Sequence, residues 1–189
     1  MTGADRLLDV RQLESDGELT LFRIAKKKYA NLSGAGSALA PGRWNRSGED
    51  AIYTSVDVGL PVLERLVHTP KDVLPRDLVL MTIHVAGSWV SSDAFTSQPQ
   101  PFQGPGLIAL PTLAQAEVFF EAHSNSRWES LGTHAIAVPS VIVPAWNVVL
   151  YPRTPGFDRY VRLVKLESFE FDQRLFPEDV PETVSQVMA

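Results

Sequence analysis

The apolar segments of this chain are short, unequal in length and irregularly ordered, and that limits its fold more than any other property of the sequence. "LTLFRIA" (19–25), "AIYTS" (51–55) and "DLVLMTIHVAG" (77–87) carry the β-branched and aromatic content of strands. Between the second and third lies "SVDVGLPVLERLVH" (55–68), where Val56, Leu60, Leu63 and Val67 recur at helical spacing and predict one face packed on a sheet. Ser55 or Asp57 is placed to cap this helix. Pro61 clashes with a helix beyond its first turn, so the regular helix should begin near Gly59 or Leu60. Further on, "LAQAEVFFEAHSNSRWESLG" (113–132) opens as a helix, and "HAIAVPSVIVPAWNVVLYP" (134–152) reads as strands broken by Pro139 and Pro144. "YVRLVKLESFEFD" (160–172) alternates like a strand, with Val161, Leu163 and Lys165 on one face and Arg162, Val164 and Leu166 on the other. Strands and helices are interspersed without a strand-helix-strand rhythm, which predicts an α+β domain rather than a doubly wound parallel sheet.

The 189 residues suffice for one full core, and the expected organisation is a peripheral segment at 1–18, a single domain at 19–172 and a loosely docked arm at 173–189. Two stretches read as loops. Residues 31–48 are punctuated by Gly34, Gly36, Pro41, Gly42 and Gly48, and residues 88–111 form a Pro-, Gly- and Ser-rich connection too long for an ordinary turn, hence mobile or functional.

A formal charge of −5 with no compensating basic face argues against nucleic-acid binding. The one basic run, Lys26 to Lys28, reads as a solvated strand end or loop. Without cysteine there is no disulfide framework, zinc-thiolate site or cysteine nucleophile. His68, His84, His123 and His134 have no ligand spacing, so no metal is expected. The first residues lack the apolar core of a signal peptide, and no run approaches the roughly 20 apolar residues that span a bilayer, so the expected setting is the cytoplasm, away from membranes.

No phosphate-loop lysine motif, GxGxxG, nucleophile elbow or HExxH is present. Glu64 stands out because it flanks the apolar stripe of its helix, where a carboxylate needs a partner or a reason. Taken alone, it reads equally as an ion pair with Arg65 or as a solvated side chain. Arg23, inside a strand, Arg43, in the loop "APGRWNRSGED", and Tyr53, in the strand before the helix, complete an inventory of two guanidinium groups, an aromatic face and one carboxylate. Guanidinium suits a diphosphate, a ring can stack a heterocycle and a carboxylate can hold ribose hydroxyls, so the set fits a dinucleotide without a Rossmann fold.

The stretch "LFRIAKKKYANLSGAGSALAPGRWNRSGEDAIYTSVDVGLPVLERLVH" closely resembles the core of the RES domain family, and "AVPSVIVPAWNVVLYP" resembles its second signature. Members are commonly toxins paired with an Xre-type helix-turn-helix antitoxin. The resemblance implies a fold similar to ADP-ribosyltransferases, with mixed or antiparallel sheets and flanking helices, and a reaction that consumes NAD as substrate with no retained cofactor. It carries the family's arginines to Arg23 and Arg43, its tyrosine to Tyr53, its glutamate to Glu64 and its serine to Ser140, while Trp44, Asn45 and Asn147 also fit the motifs. It implies that Glu64, Tyr53 and Arg43 are catalytic, that Arg23 binds the nucleotide, that Ser140 bonds it or holds Glu64, that Trp44 and Asn45 bind it or only hold the loop in shape, and that the toxin forms a homodimer within a larger antitoxin complex. NAD hydrolysis, NAD phosphorolysis and ADP-ribosylation of a protein all fall within the family's range, and a non-catalytic nucleotide- or partner-binding module is the remaining alternative. Pro41-Gly42 stands where the family usually has two glycines before RWN, and Pro61 is unusual in the helix carrying the glutamate.

Overall fold

The computed structural model describes residues 18–70, 73–86, 106–123 and 133–176. Its strands are β1 (Glu18–Lys26), β2 (Ile52–Ser55), β3 (Leu78–Ala86), β4 (Gly106–Ala109), β5 (Thr133–Pro139), β6 (Trp146–Leu150) and β7 (Val161–Phe169). The helices are α1 (Ala35–Leu39), α2 (Gly59–Val67), α3 (Leu113–Ala122) and α4 (Phe157–Tyr160), with 3₁₀ turns at Lys27–Tyr29 and Gln173–Leu175. The fold is a mixed single α+β domain.

All seven strands join one sheet in the order β4-β5-β6-β2-β1-β3-β7. Every pairing is antiparallel except β4 with β5. The pairing is uneven. β1 runs beside β3 over its full nine residues, from Glu18↔Ala86 to Lys26↔Leu78, but meets β2 at the single register pair Phe22↔Ser55. The sheet is therefore two halves, β4-β5-β6-β2 and β1-β3-β7, joined at a narrow seam. The main core takes residues from both halves, with Leu21, Met81 and Ile83 on one side and Ile52, Ala137 and Val148 on the other. A second cluster, including Trp44, Ile136, Val149 and Tyr151, lies beneath Leu113 and Ala116 of α3.

α2 begins at Gly59, which places Pro61 in the first turn, where its missing N–H has no intrahelical partner to lose. Val58 is the N-cap residue and Asp57, one residue before it, accepts through Oδ1 from the amides of Gly59 (2.7 Å) and Leu60 (3.2 Å), satisfying two of the first helical donors. The buried side of the helix differs from the stripe read in the sequence. Leu60 is buried and Val62 and Leu66 pack against Ile24 and Leu78, whereas Leu63 and Val67 are 37% and 62% exposed. Val56 precedes the first helical residue and lies in a bend, so its spacing to Leu60 was never a helical one.

Two further elements depart from the sequence reading. Part of the connection 88–111 is a strand: β4 pairs in parallel with β5 through Leu107↔Ala135 and Ile108↔Ile136. Its other residues as far as 105 lie outside those described. In β7 the alternation predicted from Val161 onward is interrupted, because Ile83 pairs with Leu163 and Thr82 with Lys165, leaving Val164 as a bulge residue. Beyond it the faces exchange, so that Leu166 rather than Lys165 shares a face with Leu163 and stands opposite Met81. The arm expected from Gln173 is docked at its start, since Phe176 is buried against Phe171.

Candidate active site

A cleft of about 580 Å³ is lined by β1, β2 and the cleft-facing side of α2, together with Gly42 to Trp44 of the loop before β2. The seam explains its position. Two strands that share one register pair diverge on either side of it, and the walls are the residues of β1 and β2 nearest the divergence: Arg23, Ile24, Tyr53, Thr54 and Ser55.

Glu64 enters from α2 and its carboxylate is held by groups more than 70 residues away in sequence. Oε1 accepts from Ser140 Oγ at 3.0 Å and from Asn147 Nδ2 at 2.9 Å. Both donors are placed by the sheet. Pro139 cannot continue the β5 ladder as a donor, so the chain turns there, and the Ser140 amide bonds the Ala145 carbonyl at 2.9 Å to close the turn into β6. Asn147 lies within β6, in register with Val138 on one side and Ser55 on the other. Ser140 Oγ also accepts from the Ile142 amide at 3.1 Å, which leaves its one proton for Glu64. Hydrogen bonds to a charged acceptor each contribute about 1.5–3 kcal/mol, enough to hold a carboxylate whose side chain is 27% exposed in one orientation. Among the described residues, Oε2 has only the exposed His68 imidazole near it, at 4.0 Å. The pairing with Arg65 that the sequence left open is not made. Both contacts to Oε1 come from neutral donors.

The loop before β2 is organised by Asn45. Its Oδ1 accepts from the Gly42 amide (2.8 Å) and the Tyr53 hydroxyl (2.9 Å), while Nδ2 donates to the carbonyls of Ser37 (2.8 Å), Arg46 (3.2 Å) and Glu49 (3.0 Å). Tyr53 Oη in turn accepts from the Trp44 amide at 2.9 Å. Burial, opposed by that amide and reinforced by Glu49, pushes the Tyr53 hydroxyl up to about 12, so it is neutral at physiological pH. Gly42 is needed for contact rather than conformation, because a Cβ there would sit 2.5 Å from Tyr53 Oη and 2.7 Å from its Cζ.

These bonds revise the assignment of ligand contacts. Asn45 is 3% exposed, is absent from the cleft wall, and uses both ends of its amide inside the loop, so it shapes the wall instead of touching a ligand. Trp44 borders the cleft but is only 5% exposed, meets Phe120 edge-on at 6.0 Å, and offers its carbonyl to Tyr151 Oη at 2.8 Å. The Tyr53 ring lines the cleft, with its hydroxyl turned into the loop.

The two arginines differ. Arg23 occupies the core-facing side of β1, in register with Met81 and flanked by buried Leu21 and Ala25, and burial lowers its guanidinium below the ordinary arginine value. No hydrogen bond or ion pair joins it to a described residue. Arg43 is half exposed, 3.5 Å from Glu117 of α3, with its guanidinium 5.8 Å from the Trp44 ring. The cleft thus combines a shielded cation, a surface cation and a fixed carboxylate. Asn147, whose role the sequence left open, bonds Glu64 directly. Arg65 and His68 also reach the wall, and the i, i+4 position of His68 relative to Glu64 was the available signal. Among the described residues no group of three or more His, Asp or Glu could hold a metal ion, and no helix is long and apolar enough to cross a membrane.

Comparison with known proteins gives the fold and the family. A chain of the Mycobacterium tuberculosis MbcT–MbcA toxin–antitoxin complex shares the fold, with a TM-score of 0.51 at 18% identity, covering 84% of this chain and 86% of that one. The Prs ADP-ribosylating toxin of Sphingobium sp. is 29% identical over 147 residues, 77% of this chain and 86% of that protein. Toxin Res of Photorhabdus laumondii is 33% identical over 162 residues, 83% of this chain and 97% of that protein. The RES domain profile matches residues 20–172. With that match spanning the sheet, α2 and the Ser140–Asn147 turn, this chain belongs to the RES domain family.

Proposed function

We propose that this protein is the toxin of a toxin–antitoxin pair and that it cleaves NAD at the bond between nicotinamide and ribose. The observation that carries the reading is Glu64, a carboxylate fixed by Ser140 and Asn147 on the wall of a cleft that also receives the Arg23 guanidinium, which has no partner among the described residues. Nicotinamide departs as a neutral molecule, taking the electron pair of the C1′–N bond onto its ring nitrogen, so no general acid is required. Departure develops oxocarbenium character on the ribose, which a nearby anion stabilises and whose hydroxyls Oε2 of Glu64 can accept. Arg23 and Arg43 suit the diphosphate, the latter after leaving Glu117. Tyr53 supplies an aromatic wall, and Ser140 and Asn147 act through Glu64.

The acceptor whose oxygen bonds C1′ is water or inorganic phosphate, giving ADP-ribose or its 1-phosphate; the cellular consequence is NAD depletion and growth arrest. Transfer of ADP-ribose to a protein is the second reading, favoured by the name of the Sphingobium relative. An Xre-type antitoxin and a homodimer are proposed with the toxin role, in the cytoplasm where its substrate lies.

Mass spectrometry of the products formed from NAD by antitoxin-free protein, with and without phosphate, tests the reading. Nicotinamide with ADP-ribose or ADP-ribose 1-phosphate is expected, and release that depends on an added protein acceptor would move the assignment to the second reading. Glu64→Gln keeps an acceptor for Ser140 and Asn147, so it should fold normally while losing about 100-fold or more in turnover. Undiminished turnover in that variant would remove Glu64 from the mechanism.

A further inference from the structure

We infer that Arg65 is a phosphate-binding residue of this cleft, a role that rests on the NAD-cleaving reading and extends it by one residue. Arg65 follows Glu64 on α2 and lines the same cleft. Its Nε is shielded from solvent and has no hydrogen-bond partner among the described residues. Among the described residues no ion pair or hydrogen bond joins it to the adjacent Glu64, whose Oε1 is held by Ser140 and Asn147. A guanidinium carries its charge at all physiological pH values and presents Nε–H and Nη–H as a fork matched to two oxygens of one phosphate. A buried Nε–H with no internal acceptor is the half of that fork a bound phosphate would use. Arg23, which has no side-chain partner among the described residues, borders the same space from β1, so two arginines reach one cleft from different elements. A surface arginine of α2 would have had solvent around Nε, and a structural one would have had a carbonyl or carboxylate on it.

The phosphate has two possible sources: the diphosphate of NAD, or free inorganic phosphate arriving as acceptor. In the second case an anionic phosphate oxygen forms the bond to C1′ while the C1′–N pair leaves with nicotinamide, and no further reactant is needed. ADP serves as probe for the first source and inorganic phosphate for the second.

The experiment measures binding of each probe by titration calorimetry to the antitoxin-free protein, to Arg65→Gln and to Arg65→Lys, alongside nicotinamide release. Arg65→Gln should weaken one probe about tenfold or more, and Arg65→Lys, which keeps the charge but loses the fork, should recover only part of it. Weakened ADP binding with a raised KM for NAD assigns the diphosphate. Weakened phosphate binding, with a raised KM for phosphate and an unchanged KM for NAD, assigns the acceptor. Melting temperature should not fall in either variant, since Nε holds nothing within the fold. A folded Arg65→Gln that binds both probes like the parent overturns the inference, as does a parent that binds neither. Absence of nicotinamide release with Arg65-dependent ADP binding would instead sink the proposed reaction and leave the phosphate site standing.

Discussion

Replacing Tyr53 by phenylalanine separates a tyrosine that shapes the cleft from one that takes part in the chemistry. The substitution removes one oxygen and leaves the ring on the cleft wall. Asn45 Oδ1 keeps its bond from Gly42, but the Trp44 amide, which donates only to Tyr53 Oη at 2.9 Å, is left without an acceptor in a residue 5% exposed. An orphaned buried amide costs about 1–3 kcal/mol. In a chain of this size that is roughly 2–12 °C in melting temperature. The pH dependence gives a second signature. The folded-state hydroxyl ionises at about 12, against about 10 in the unfolded chain, so its contribution is fully present below pH 10 and is lost as pH rises through 12. The Tyr151 hydroxyl is raised by burial and, next, by Tyr53 itself, so the parent–variant difference reports Tyr53 together with its coupling to Tyr151. Thermal melts at neutral and alkaline pH, paired with nicotinamide-release kinetics, read both effects. The variant should melt lower at neutral pH, lose part of the alkaline slope and show activity reduced through a raised KM. Unchanged melting with a 100-fold fall in kcat would refute the reasoning and make the hydroxyl a catalytic group.

Three other substitutions examine the same architecture. Gly42→Ala places a methyl 2.5 Å from Tyr53 Oη, a rigid group bonded on both sides, and should destabilise by about 1–3 kcal/mol; a urea midpoint equal to the parent's would show that the loop yields. Ser140→Ala and Asn147→Ala each leave Glu64 Oε1 with one donor, and the double variant should lose more kcat than the singles, with sub-additive coupling because both act through one oxygen; full additivity would assign them separate ligand contacts.

The elements that combine local chemistry with a simple spacing were legible in the chain. A start of α2 near Gly59 or Leu60 followed from Pro61, and the breaks around Pro139 and Pro144 isolated the turn that carries Ser140. The family resemblance brought Arg23, Glu64 and Ser140 forward together, and in the structure they border one cleft or bond within it. What was not legible depends on distant partners. Asn45 looks like a ligand contact in a list of residues, and only the positions of Ser37, Glu49 and Tyr53 reveal that its amide is occupied. The bulge at Val164 leaves no mark on an alternating sequence, because the extra residue is defined by the neighbour strand. The buried side of α2 was misread because Val56 mimics a helical position from inside a bend. β4 was hidden among glycines and prolines because four residues carry too short a pattern, and its pairing with β5 supplies the definition.

The seam between β1 and β2 has a consequence for the order in which the protein is made. Arg23 and Glu64 leave the ribosome long before Ser140 and Asn147, yet the carboxylate has no donors until the last two arrive and β6 has taken its place beside β2. The β1-β3 half needs β7, from Val161 onward, to complete its outer edge. A nascent or truncated chain ending short of Asn147 therefore cannot present the assembled cleft, and the host meets the finished site only when synthesis of the domain is nearly over.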